Sequence, residues 1–323
     1  MVEGGPVVQL VVVALTVVGL WIGARLLVDS SVRLARRAGL SELVIGLTIV
    51  AVGTSTPELA VSLDAAYKGF GDIAVANVLG SNIYNLAFIL GVVSLFHVLP
   101  VQRSLVKRDG VALLASTAVG AAVLFDLTVS RLDGAVLVGL FLAYTGYLLS
   151  RGNPSADDEP ADPVDVTRAL PERLSGPGRD IGLLVVGLAL VLVSGDFLIG
   201  AASTLARGAG VSEWVIGGTI VAAGTSTPEF AVSLVAVRRG SLGVSVGNIV
   251  GSNIFNVLGV LGLAALVRPL AVSPSALSTL AWLVGISLLV VAALWTGREL
   301  SRAEGGLFAG SELVRWALGL LGL

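Results

Sequence analysis

The apolar residues of this chain fall in runs of about twenty, separated by short clusters of charged and turn-forming residues. A helix of roughly 20 mostly apolar residues crosses the hydrocarbon core of a bilayer. Cutting the chain at its polar clusters predicts ten such helices, over 6–27, 40–67, 72–96, 107–125, 132–150, 181–203, 211–237, 243–267, 275–297 and 306–323, the last barely long enough. One polar stretch is longer than the others. Residues 151–179, rich in Pro, Asp and Glu, separate five spans from five and have the composition of a loose linker. The start, MVEGGP, lacks the positive n-region of a secretory signal, so the first span is expected to stay uncleaved.

Composition sharpens this picture. Of 323 residues 55% are hydrophobic and 13% charged, where soluble domains carry about 25% charged residues. That excludes soluble enzymes, and the net charge of −2 offers no basic body to a nucleic acid. The chain has no Cys and a single His, His97, which excludes thiolate and His-rich metal centres. The expected fold class is therefore an all-α integral membrane protein in contact with lipid, with no cofactor and no obligate protein partner evident. Basic residues orient it. Alternate loops hold 14 Lys and Arg against 4 in the opposite loops. The excess marks the cytoplasmic side. Both termini are then expected outside the cell membrane and the linker inside.

Residues 41–91 match 212–262 at a constant offset of 171, with 30 identities in 51 positions. Two blocks stand out. GTSTPE occurs at Gly53–Glu58 and Gly224–Glu229, and GSNIxN at Gly80–Asn85 and Gly251–Asn256. With an odd number of spans in each half, the second half enters from the opposite side. The expected organisation is thus a first five-helix repeat over 1–150, a linker over 151–179 and a second, inverted repeat over 180–323, with broken helices at the midplane. A scaffold duplicated for packing alone would keep small and apolar residues, whereas these blocks keep polar and ionisable ones in mid-span.

Glu58 and Glu229 sit near the middle of their spans, where a charge costs several kcal/mol unless paired or hydrated. Thr54, Glu58 and Ser62 are spaced i, i+4, i+8 and share a helix face, as do Thr225, Glu229 and Ser233. Asn77, Ser81 and Asn85 form a second stripe, repeated by Asn248, Ser252 and Asn256. Pro57 and Pro228 lack an N–H, which is expected to break each helix and free the carbonyls of Gly53 and Gly224. Carboxylate, amide, hydroxyl and carbonyl oxygens are hard donors, suited to Ca²⁺ and Na⁺. An anion site would need Arg or Lys, and the stripes hold neither. Each stripe alone also fits interhelical hydrogen bonding; the joint pattern, present twice, is more specific.

These blocks resemble the two α-repeats of the cation/calcium exchanger superfamily, its sodium/calcium exchangers in particular. The resemblance implies a secondary antiporter that moves Ca²⁺ against Na⁺ by alternating access, and not an enzyme. It implies Glu58 and Glu229 as the main shared ligands and carbonyls of Thr54 and Thr225 on calcium. It further implies sodium sites lined by Ser55, Ser81, Ser226 and Ser252, with carbonyls of Ala51 and Ala222, and a centre closed by Asn85 and Asn256. In one respect the chain departs from some microbial and potassium-dependent relatives, which carry Asp where Asn256 stands. The cage then holds two carboxylates, and exchange is expected not to need potassium. A Ca²⁺/H⁺ antiporter is the nearest alternative, since both glutamates could carry protons, although proton exchangers usually show other signatures than GTSTPE. A channel fits two-sided gating poorly. An intramembrane protease lacks its catalytic set, with His97 as the lone histidine.

Arg25 and Asp196 also stand 171 apart. Inverted repeats place such residues at opposite depths, so they are expected to snorkel to separate interfaces and not to pair. His97 and the five Trp residues read as interface or packing positions.

Overall fold

The computed structural model describes residues 5–100, 105–150, 176–210, 222–297 and 299–320. The linker up to residue 175 and the part of the seventh expected span over 211–221 lie outside the described residues.

Twelve helices carry the described chain. In the first half these are α1 (Pro6–Ala38), α2 (Glu42–Thr54), α3 (Thr56–Lys68), α4 (Gly71–Phe96), α5 (Val111–Leu124) and α6 (Arg131–Ser150). In the second half they are α7 (Pro177–Gly208), α8 (Ala222–Thr225), α9 (Thr227–Arg238), α10 (Leu242–Val267), α11 (Ser275–Gly297) and α12 (Arg302–Leu320). Six of them (α1, α4, α6, α7, α10 and α11) are each long and apolar enough to cross a membrane, and α2 with α3 makes a seventh span bent by 48°. The other three expected spans fall short for visible reasons. The fourth is divided between a π turn at Leu105–Gly110 and the 14-residue α5. The seventh is described only from Ala222 onward, and α12 carries Arg302, Glu304, Glu312 and Arg315.

Two span ends need correction. The first and sixth spans, expected over 6–27 and 181–203, run as single helices of 33 and 32 residues. The added part of α1 is amphipathic and so escapes a search for apolar runs. Val28, Ser30, Ser31, Val32 and Ala35 are buried, while Arg36 and Arg37 lie in the last turn, where cations favour the helix dipole. Gly39 ends it in the left-handed conformation. α1 packs along α7, and the approach is close enough that a Cβ on Gly187 would stand 2.7 Å from the Leu27 amide nitrogen. Only glycine permits that backbone contact.

Burial separates centre from periphery. The most apolar stretches of α4 and α10 are 78% and 89% buried, against 28%, 22% and 17% for α1, α7 and α6. The helices that carry GSNIxN therefore form the centre, and the long flanking helices present apolar side chains such as Val7, Leu15, Leu142 and Val185 outward, as a lipid-facing surface does.

Contacts between segment ends fall into two groups. Two-residue ladders join Leu99–Pro100 to Glu299–Leu300 and Thr128–Val129 to Leu270–Ala271. Asp180 is bound by Arg33 at 2.7 Å and Arg37 at 3.2 Å, and Asp29 by Arg239 at 2.6 Å. On the other face Asp72 accepts from the Ser273 amide at 2.7 Å, and Arg131 donates to the Val267 carbonyl at 3.2 Å. Every one of these contacts joins segments that the Lys/Arg distribution places on one side. Arg25 and Asp196 are both exposed and stay apart. Gly19 abuts Ser194, two residues before Asp196, and at 1.5 Å per residue Arg25 is roughly 12 Å further along α1.

Candidate ion-binding site

The breaks fall at Ser55, with φ −81° and ψ 15°, and at Ser226, with φ −89° and ψ 11°. Proline occupies the first turn of the helix that follows each, so α3 and α9 start afresh in mid-membrane, with Glu58 and Glu229 in their first turns. A carboxylate there is favoured by the positive end of the helix dipole. Neither serine hydroxyl caps its own helix. Each crosses to the other repeat instead. Ser55 Oγ donates to Glu229 Oε1 at 2.7 Å, and Ser226 Oγ donates to Glu58 Oε1 at 2.8 Å. The two glutamates and the two serines are fully buried.

Around this exchange stand most of the residues expected from the sequence. Ser252 Oγ lies 3.4 Å from the Ala51 carbonyl and 3.5 Å from Glu229 Oε1. It is seated there by Gly251, where a Cβ would stand 2.6 Å from the Leu47 carbonyl oxygen. The Ser81 hydroxyl is buried and reaches the Glu58 carboxyl. Thr54 Oγ1 donates to Asn248 Oδ1 at 2.9 Å, while Thr225, also buried, has its own partner. Asn85 and Asn256 are wholly buried on α4 and α10, each inside a π turn, Tyr84–Ile89 and Phe255–Val260. Ala222 begins α8, three residues before Thr225.

The unpaired atoms define what this arrangement can hold. Glu58 Oε2, Glu229 Oε2, Asn85 Oδ1 and Asn256 Oδ1 are all buried without a hydrogen-bond partner. Each such group costs about 1–3 kcal/mol, and more when charged. No ion pair among the described residues involves Glu58 or Glu229. Two carboxylates whose serine partners are exchanged between the repeats each leave one oxygen open to a desolvated cation, and the open amide oxygens of Asn85 and Asn256 lie on the two central helices. No group of three His, Cys, Asp or Glu gathers anywhere among the described residues. The remaining donors are neutral, as suits an ion that must be released again.

One expectation about the breaks fails. The Gly53 carbonyl freed by Pro57 does not join the cage, because Thr56 Oγ1 donates to it at 2.7 Å on an exposed face. In the second repeat the Thr227 hydroxyl turns to the Ala223 carbonyl at 3.4 Å. In the first repeat the threonine after the break thus repairs what proline opens, whereas in the second it bonds the carbonyl one residue earlier. The stripes also divide their labour. Asn77 Nδ2 donates to the Glu58 carbonyl at 3.0 Å and to Ser62 Oγ at 2.9 Å; Asn248 does the same for Glu229 and Ser233 at 3.3 and 3.1 Å. These four brace the glutamates from behind. Asn82 and Asn253 join the two repeats directly, and the spacing of the stripes misses them because each lies one residue off its line; their signal is identity at the common offset.

The sodium/calcium exchanger protein family matches residues 8–150 and 180–311. The sodium/calcium exchanger MaX1 of Methanosarcina acetivorans is 32% identical over 331 aligned positions, covering 92% of this chain and 94% of that protein. The inner membrane protein YrbG of Escherichia coli is 37% identical over 279 residues, 84% of each chain. The solved structure of the sodium-calcium exchanger NCX_Mj superposes with a TM-score of 0.82 at 30% identity, covering 97% of this chain and 99% of that one. The chain belongs to the sodium/calcium exchanger family: it is a multi-pass membrane antiporter of cations including Ca²⁺, and its family is one of transporters, not enzymes.

Proposed function

We propose that the protein exchanges Ca²⁺ against Na⁺ across the cell membrane by alternating access, at one site shared by both ions. The observation that carries this reading is the reciprocal crossing of Ser55 to Glu229 and Ser226 to Glu58, which leaves one oxygen of each carboxylate unpaired. Two negative charges balance one Ca²⁺ or two Na⁺, so the two loads are electrostatically interchangeable in a cage that discriminates poorly on charge alone. On this reading Glu58, Glu229 and the carbonyls of Thr54 and Thr225 hold calcium. Ser55, Ser81, Ser226 and Ser252, with the carbonyls of Ala51 and Ala222, line sodium positions, and Asn85 and Asn256 close the centre.

The repeats are taken as 1–150 and 180–323, with the linker over 151–179 and the basic face in the cytoplasm. Potassium is not part of the cycle, because a third monovalent cation would enter an already neutralised cage and its desolvation would go uncompensated. The test is ⁴⁵Ca²⁺ uptake into proteoliposomes under imposed Na⁺, H⁺ or K⁺ gradients. Uptake driven by an outward Na⁺ gradient in potassium-free buffer at equal pH is expected. Uptake driven only by a proton gradient makes the protein a Ca²⁺/H⁺ antiporter instead.

A further inference from the structure

The buried asparagines between the repeats form an uneven set. Asn82 Nδ2 donates to the Asn253 carbonyl at 3.0 Å, and Asn256 Nδ2 donates to Asn82 Oδ1 at 3.0 Å. Exchanging the repeats by their offset of 171 gives the counterpart pair: Asn253 Nδ2 to the Asn82 carbonyl, and Asn85 Nδ2 to Asn253 Oδ1. The structure makes the first pair and leaves the second unmade. Asn253 Nδ2 is parked on the Ile249 carbonyl of its own helix at 2.7 Å. Asn85 Nδ2 and Asn253 Oδ1 are buried without partners. The unsatisfied groups are thus the repeat mates of the satisfied ones. Two oxygens, Asn85 Oδ1 and Asn256 Oδ1, stay open in either arrangement, as groups reserved for the cation would.

The rest of the molecule is uneven in the same sense. At the basic face, Arg33 and Arg37 on α1 clasp Asp180 on α7, and Asp29 on α1 holds Arg239 after α9. At the opposite face α1 and α7 enclose a cavity of about 300 Å³ lined by Gln9, Asp196, Ile199 and Thr204. Ile199 also abuts Gly224, the neighbour of Thr225, so the cavity ends one side chain from the site. In an inverted repeat, exchanging the conformations of the halves exchanges the open face.

We propose that Asn82 and Asn253 are positioning residues of a two-way switch, in which each repeat holds the other's site asparagine in turn. Asn82 fixes Asn256 while the site faces the cavity. Asn253 fixes Asn85 when it faces the basic side. Because the two bonding sets are equivalent, neither state is favoured by hydrogen bonds lost in the other, which keeps the two faces near balance without a cation.

This rests on the antiport reading, and the test separates the two. Half-saturating Ca²⁺ is measured from each face, in oriented proteoliposomes, for wild type, Asn82→Ala, Asn253→Ala and the double variant. Each variant loses two neutral hydrogen bonds in one state and, in the other, the parked bond of the kind Asn253 makes to Ile249, so the net loss of one bond shifts the two populations by about fivefold. Asn82→Ala should therefore raise half-saturating Ca²⁺ at the cavity face relative to the basic face by about fivefold. Asn253→Ala should move the ratio as far the other way, and the double variant should return it close to wild type. The isosteric Asn82→Leu and Asn253→Leu give the same readout should the alanine variants not fold. Two single variants that weaken both faces equally, or shift the ratio in one direction, overturn the switch while exchange itself stands. A wild type without sodium-driven Ca²⁺ uptake overturns the antiport reading, and the switch with it.

Discussion

Glu58 and Glu229 reach the membrane interior with one oxygen held by a serine of the opposite repeat and the other without a protein partner. A buried carboxylate so placed is costly to the protein alone and is compensated by a cation. Replacing either by Gln keeps the shape and removes the charge. For Glu58→Gln and Glu229→Gln we expect Ca²⁺ flux to fall by at least about a hundredfold, the scale of losing a buried charge interaction. Thermal unfolding without cations should move the other way, with a midpoint equal to or above wild type, because an unpaired charge has been removed. A drop in that midpoint together with flux would show the glutamates to be structural. Asn256→Asp adds a third carboxylate beside an amide oxygen that is already open. It should raise Ca²⁺ affinity several-fold and make flux sensitive to potassium, measured as the change in uptake when K⁺ replaces choline on the Ca²⁺ side.

At the scale of elements, the two breaks, the repeat and the approach of Ser55 and Ser252 to Glu229 are legible in the sequence, since prolines and mid-span charges are conspicuous among apolar residues. The fate of the Gly53 carbonyl is not, because it depends on the rotamer of Thr56, a side chain that reads as part of the motif. Nor are the true ends of α1 and α7, where burial of one face by the partner helix replaces burial by lipid. Gly187 shows how tight that helix pair is. A methyl group there meets the Leu27 backbone nitrogen at 2.7 Å. Backbone cannot yield as a flexible side chain does, so Gly187→Ala should cost about 1–3 kcal/mol. A lowered unfolding midpoint in detergent is the expected result. Gly182, beside which a Cβ meets nothing within 4 Å, is the control, and Gly182→Ala should leave the midpoint at or above that of wild type.

At the scale of the whole molecule, the two short ladders and the Asp180 and Asp29 ion pairs show which segments lie together, and which group faces the cytoplasm is the prediction of the Lys and Arg count. The chain has no cysteine, so single cysteines introduced between 151 and 175 report sidedness cleanly. They should react with an impermeant maleimide only in inverted vesicles, and labelling in intact cells would reverse the orientation. The central claim is that Ca²⁺ and Na⁺ compete for one cage built jointly by both repeats. Equilibrium ⁴⁵Ca²⁺ binding to the purified protein, titrated with Na⁺ at constant ionic strength, tests it most directly. The account predicts one Ca²⁺ per chain, displaced fully by Na⁺ with a Hill coefficient above one, and no such site in Glu58→Gln or Glu229→Gln. Ca²⁺ that stays bound at saturating Na⁺, or that binds the Gln variants as tightly as wild type, would contradict it.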